Sequence, residues 1–371
     1  MNKKIKINWE GSLFVHHSLG MVNREILYEL IKRTEFEIRV IPFEPDQFIV
    51  DSDSKFYPLF QIAHKPPHDA PDITVKHRWP PDFSSPANGR FVLFQPWEYG
   101  SLPAIWLSEI STKVDDVWVY TDYLKRCYAE SGIDNSKIKI IPLGVDTVLF
   151  NPSKKPSGQI KYMSSGRYCF LFNGGVTFRK GTDILVNAYL NEFKADEPVC
   201  LIIKDSSAYG KGLAEKVRLL SQRPDIARIV YFCENISHGD LAGLYTACDC
   251  YVHPYRAEGY GLPIAEAISC GRPVVVTGGG ACIDFVKPGM GYFINCAVEK
   301  MKEKNVNGIL TVDHPFWLVP DTVHLQKILR YIYENQNEAK ALGNSAGINF
   351  RASNTWSRSA EIVSKRLIEL I

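Results

Sequence analysis

The sequence predicts an α/β protein built from two doubly wound domains, each a parallel sheet wrapped by helices. In the second half, short apolar runs that read as buried strands alternate with helical stretches, the pattern of βα units. The first half repeats the alternation less regularly. A chain of 371 residues, 45% hydrophobic and 23% charged, is also long enough to bury two cores.

Strands are expected over residues 4–9, 36–41, 91–95 and 117–121 of the first half, with a helix near 23–33. The proline-rich stretch 66–86 reads as irregular loop. A Lys/Pro/Ser/Gly-rich linker at 151–165 separates a first domain, residues 1–150, from a second, residues 166–354. Strands in the second domain are expected at 169–173, 199–203, 229–233, 250–253 and 274–277, with helices at 182–193 and 238–247. Residues 355–371 form an amphipathic helix by the spacing of Ile362, Val363, Leu367 and Ile368.

The segment that speaks to chemistry is His253-Pro254-Tyr255-Arg256-Ala257-Glu258-Gly259-Tyr260-Gly261-Leu262-Pro263-Ile264-Ala265-Glu266. A buried strand leads into a glycine-bearing loop and a helix opened by Pro263, which is ended by Gly271 before the next strand. Gly259 and Gly261 let a ligand approach the backbone, and the amides that open the helix form an anion site. Glu258 and Glu266 suit sugar hydroxyls rather than phosphate. Phosphate in the middle with polyols on both sides describes a nucleotide-sugar.

The segment resembles the donor signature of retaining glycosyltransferases of family 4, the glycosyl transferases group 1, which have the two-domain GT-B fold. Ile141-Pro142-Leu143-Gly144-Val145-Asp146-Thr147-Val148-Leu149-Phe150-Asn151-Pro152 resembles the family's interdomain sequence, and Phe172-Asn173-Gly174-Gly175-Val176-Thr177-Phe178-Arg179-Lys180-Gly181 its phosphate-side loop. The likeness is clearest over residues 140–285. It implies two domains facing across a cleft and a final helix crossing back to the first, acceptor-binding domain. It also implies that Glu266 takes the ribose hydroxyls, that Glu258 takes hydroxyls of the transferred sugar, and that Lys180 and Arg179 neutralise the leaving diphosphate. Gly175, the stretch Gly259, Tyr260, Gly261 and Leu262, and Gly20 between the first strand and its helix would line the donor. Lys204 would border the nucleobase. Where many relatives carry an arginine after the first glycine of the phosphate-side loop, this chain has Gly174 or Gly175. Where many carry a histidine near the reacting centre, the alignment places Trp97, next to Glu98, and both are read as acceptor-side residues. Attack from the donor's front face, assisted by the departing phosphate, requires no protein nucleophile.

Other features limit the alternatives. A net charge of +2 argues against a nucleic-acid protein. The first residues lead straight into a strand, and no run of eighteen apolar residues occurs, so the expected location is cytoplasmic, with peripheral association with the inner face of the membrane left open. The nine cysteines read as structural thiols; Cys248 and Cys250, on alternate residues, would not share a zinc. Asp51-Ser52-Asp53 imitates a metal-binding Asp-x-Asp but reads as a polar turn, and His16-His17 as a strand end. No metal or other cofactor is expected. Gly278-Gly279-Gly280 is an incomplete dinucleotide fingerprint, which disfavours a nicotinamide-dependent oxidoreductase. Gly210-Lys211-Gly212 lacks phosphate-loop spacing. A non-catalytic sugar-nucleotide-binding subunit is the remaining rival. UDP-glucose is the first guess for the donor and a surface or exported glycan, or a glycolipid, for the acceptor.

Overall fold

The computed structural model describes residues 3–206 and 211–371. It divides into two compact units: Met1–Gly144 with Met301–Pro315 and Asn354–Ile371, and Val145–Lys300 with Phe316–Ser353. The division thus falls at Gly144, ahead of the 151–165 linker, and residues 301–315 group with the first unit rather than the second.

In the first unit, β1 (Ile5–Glu10), α1 (Ser18–Leu30), β2 (Phe36–Ile41), α2 (Tyr57–Ala63), β3 (Ile73–Lys76), β4 (Arg90–Phe94), α3 (Ala104–Lys113), β5 (Asp116–Val119), α4 (Asp122–Glu130) and β6 (Ile138–Ile140) follow in order. The six strands form one parallel sheet in the order β2-β1-β3-β4-β5-β6. Strand β3 corrects the reading of 66–86 as irregular loop: Ile-Thr-Val-Lys, bounded by Pro71 and Pro80, is too short to show a period, yet all four residues are buried between β1 and β4. Helix α1 starts at Ser18, not near residue 23, and His17 is its N-cap, accepting from Gly20 N–H, rather than a strand end. Residues 301–315 join this unit through Val312 N–H donating to Leu102 O at 2.8 Å and Asp313 N–H to Ser101 Oγ at 2.7 Å.

The second unit contains α5 (Gly158–Ser164), β7 (Tyr168–Asn173), α6 (Thr182–Glu192), β8 (Val199–Lys204), α7 (Lys211–Leu220), β9 (Arg228–Phe232), α8 (His238–Ala247), β10 (Cys250–His253), α9 (Leu262–Ser269), β11 (Val274–Thr277), β12 (Tyr292–Ile294), α10 (Thr322–Glu334) and α11 (Gln336–Ser353). Helix α5 occupies part of the expected linker. Its sheet is parallel, ordered β12-β11-β10-β7-β8-β9, with β7, β8 and β10 buried along their whole length by apolar residues on both faces. Such strands read as continuous apolar runs, which is why they were legible. Strand order reverses between β10 and β7, and in open sheets of this type ligands sit outside the carboxyl ends of the strands at that reversal.

The final helix, α12 (Trp356–Glu369), returns to the first unit as the resemblance implies, packing on α1. Arg366 clamps the buried Asp116 of β5 with two 2.8 Å hydrogen bonds, and Ser359 donates to Pro142 O at 2.6 Å. A two-pronged guanidinium on a buried carboxylate fixes angle as well as distance.

Candidate functional site

The loops after β7 and β10, the two strands flanking the reversal, are locked together. Gly181 caps α6 in the left-handed region at φ +70°, and a Cβ there would lie 1.8 Å from Pro254 O, so only glycine lets the two loops touch. Thr182 is the first helical residue, where the sequence places the start of this helix. Arg256 closes the joint from the other side. Its guanidinium grips Asp183 of α6 through two 2.8 Å hydrogen bonds and lies 3.5 Å from the Phe178 ring centroid, while its backbone N–H donates to Arg179 O at 2.7 Å. Gly261, at φ +99°, likewise caps α9, so Pro263 is the second residue of that helix rather than the first.

This joint brings Lys180, Arg179 and Glu258 together. Lys180 Nζ donates to Glu258 Oε1 at 2.7 Å, and Arg179 Nη1 lies 3.5 Å from Oε2 while donating to Ala257 O at 2.7 Å. Burial alone would raise the Glu258 carboxyl, but Lys180 and Arg179 override it and hold it well below the usual carboxylate range. Gly174 turns at φ +147° beside the Lys180 side chain, and Gly175 is buried in the same loop.

Glu266, on α9, is 3% exposed and lives in the opposite electrostatic setting. Burial pushes its carboxyl up to about 7 from 4.5, although the Tyr245 hydroxyl, donating to Oε2 at 2.7 Å, favours the charged form. The two acids of one motif therefore differ in charge: one is a fixed anion between cations, the other an acceptor that titrates near neutrality. A raised folded-state pKa destabilises the fold as pH rises. Below about 4.5 both states carry the proton, and the cost of ionising Glu266 builds up to pH 7, reaching on the order of 3 kcal/mol. Glu266→Gln should flatten that part of the stability-versus-pH curve in urea unfolding between pH 5 and 8, and an unchanged curve would place the titration elsewhere.

Leu262 and the Gly259–Gly261 turn are buried, with Tyr260 stacked on Phe285 at 4.6 Å between centroids. Lys204 ends β8 and is 8% exposed, and burial lowers its ammonium pKa against the pull of Asp205. A desolvated cation at a strand's carboxyl end suits an electron-rich ligand group.

In the first unit the outcome is mixed. Gly20 lies in the first turn of α1, where a Cβ would lie 2.4 Å from Val15 Cγ2, so its smallness serves packing of the loop that follows β1. Trp97 is not available for stacking on an acceptor: it is 3% exposed, donates Nε1–H to Ser101 O at 2.8 Å, and packs edge-on against Trp106. The indole that faces solvent is Trp79, 45% exposed and stacked on Trp97 at 21° between planes. Glu98 is half-buried beside it, its carbonyl accepting from Tyr123. Asp51-Ser52-Asp53 forms an exposed turn. Part of Gly210-Lys211-Gly212 lies outside the described residues. All nine cysteines are unpaired, seven of them buried. No helix among the described residues is long and apolar enough to cross a membrane.

Sequence reasoning missed Arg256, Tyr245, Tyr251 and the role of His253. Arg256 stood in the motif without a visible partner, because Asp183 is 73 positions away. The tyrosines lie in apolar runs and read as core.

Comparison with known proteins agrees with this geometry. Residues 159–311, less than half of the chain, match the family model for glycosyl transferases group 1. D-inositol 3-phosphate glycosyltransferase of Segniliparus rotundus is 30% identical over 171 residues, 46% of this chain and 37% of that protein. The Mycobacterium tuberculosis enzyme of the same name is 28% identical over 187 residues, 49% of this chain and 38% of that one. The chain thus spans about two fifths of the length of these curated relatives. Over the whole chain, the crystal structure of Anabaena HepE in complex with UDP and glucose superposes with a TM-score of 0.70 at 14% identity, covering 98% of this chain and 100% of that one. Sucrose-phosphate synthase from Thermosynechococcus elongatus gives 0.66 at 17% identity, covering 99% of each chain. The structural likeness shows the fold, GT-B, and the matched segment carries the resemblance read from the motifs.

Proposed function

We propose that this chain, whose residues 159–311 match glycosyl transferases group 1, is a metal-independent, retaining transferase moving a hexose from a nucleotide-sugar to a glycan or lipid-linked sugar. UDP-glucose is the donor we would try first. The observation that carries the reading is the pair of buried glutamates at the sheet's reversal point, one held anionic by Lys180 and Arg179, the other free to accept hydroxyl protons. In the reaction the bond from the anomeric carbon to the diphosphate breaks and a bond to the acceptor oxygen forms on the same face. The acceptor proton passes to the departing phosphate. Lys180 and Arg179 oppose the charge that grows on the leaving group, the largest contribution a site of this kind makes. Glu258 orients the sugar and Glu266 the ribose. The complex of HepE with UDP and glucose supports the choice of donor class.

A thermal-shift panel of UDP-, GDP- and ADP-sugars and nicotinamide dinucleotides, with and without magnesium, tests this, because a ligand that binds only the folded state raises its melting point. Selective stabilisation by one of them without metal is expected. Stabilisation by a nicotinamide dinucleotide alone would replace the reading with an oxidoreductase. Glu266→Ala should weaken free nucleoside diphosphate by about 1.5–3 kcal/mol in calorimetry, the scale of one charge-assisted hydrogen-bonding group. Unchanged affinity would remove Glu266 from the ribose.

A further inference from the structure

Beneath the two glutamates runs a line of buried polar groups that packing alone does not require. The Tyr245 hydroxyl donates to Glu266 Oε2 at 2.7 Å and accepts from Asn173 Nδ2 at 2.9 Å. The backbone carbonyl oxygen of the same Asn173 accepts from the Tyr251 hydroxyl at 3.1 Å, and Tyr251 lies 2.8 Å from His253 Nδ1. His253 Nε2 then reaches to 3.3 Å from Glu258 Oε1 without completing a hydrogen bond. Tyr245, Tyr251 and His253 are fully buried, so every group in the line is one whose desolvation must be compensated.

The proton inventory gives the line two arrangements. A tyrosine hydroxyl has one proton. If Tyr251 gives it to Asn173 O, His253 Nδ1–H donates to Tyr251 and Nε2 is bare, facing Glu258 while Lys180 supplies that carboxylate's hydrogen bond. If Tyr251 turns its proton to Nδ1, the imidazole carries its proton on Nε2 and donates to Glu258. The ring is neutral in both, as burial and the nearby Lys180 and Arg179 favour. Glu258 needs the second arrangement when Lys180 leaves it for a diphosphate.

Building on the proposed function, we propose that Asn173, Tyr245, Tyr251 and His253 form a positioning network that joins Glu258 to Glu266 and gives Glu258 a hydrogen bond from His253 Nε2 when Lys180 turns to the diphosphate. None of the four need touch the substrate; they act through the two glutamates.

Tyr251→Phe is the decisive variant, since Tyr251 touches neither glutamate and the change keeps the ring. With UDP-glucose, kcat/KM should fall about tenfold at unchanged secondary structure. Combined with Tyr245→Phe, which should raise the Kd for UDP and lower kcat/KM each about tenfold, the losses in kcat/KM should be well short of multiplicative, the mark of one connected unit. Nitrogen-15 NMR of the wild-type histidines should show Nε2 of His253 protonated in the UDP complex and bare without it. His253→Gln supplies the same kinetic comparison at the Glu258 end should Tyr251→Phe fail to fold. Losses that multiply, or variants that only melt earlier while kcat, KM and Kd stay put, would overturn the network. An Nε2 that remains bare in the complex would overturn the exchange of partners. A wild-type chain that binds no nucleoside diphosphate would instead overturn the proposed function, and this inference with it.

Discussion

Lys180→Ala should lower turnover at saturating donor by roughly 10²–10³, the scale of losing one preorganised electrostatic group whose partner gains charge in the transition state. The structure sharpens the expectation. Lys180 Nζ sits 2.7 Å from a buried carboxylate, so its ammonium is held in the loop after β7 and needs only to exchange Glu258 for the diphosphate. The same pairing means the variant leaves Glu258 with Arg179 as its remaining cation, so the fold itself should weaken. Turnover at saturating donor separates the two consequences, because a merely destabilised but folded enzyme keeps its kcat. Near-normal turnover in the folded fraction would transfer the load to Arg179 or the backbone amides.

Gly181→Ala should be the most damaging small substitution in the second unit. The new Cβ would lie 1.8 Å from Pro254 O in a residue with φ +70°, so it combines left-handed backbone strain with an overlap against a carbonyl that cannot rotate away. Together these cost about 2–5 kcal/mol in urea unfolding, and donor affinity should fall as the loops after β7 and β10 separate. Gly289→Ala is the control. Its φ is +84° but nothing lies within 4 Å of the added carbon, so it should show the strain alone, about 1–2 kcal/mol, with donor affinity intact. Equal effects from the two would show that the loops are not held by this contact.

These two residues also mark what the sequence made legible. Lys180, Gly181, Glu258, Gly261 and Glu266 are close along the chain or sit in motifs with fixed spacing, and the strands before them are continuous apolar runs that admit one reading. The convergence of the β7 and β10 loops followed from the parallel alternation, which puts all strand carboxyl ends on one edge. What stayed hidden depends on contacts across sequence distance. Asp183 and Arg256 are 73 positions apart, and Tyr245 reaches Glu266 from a different helix. Strand β3 was lost between prolines because four residues carry too little periodicity, and the burial of Trp97 was not legible because exposure is a tertiary property: Trp79, Trp106 and Tyr99 pack around it.

The central claim is that Lys180 and Arg179, rather than a metal, carry the leaving diphosphate beside Glu258. The most direct measurement is proton NMR of the first product formed from a nucleotide-sugar in the presence of a chelator. The account predicts undiminished activity and a product that keeps the donor's anomeric configuration. Activity lost in chelator, restored by manganese and abolished again in the Asp51→Ala, Asp53→Ala double variant would contradict it, as would an inverted product, which would demand a general base and make Glu98 the first residue to replace.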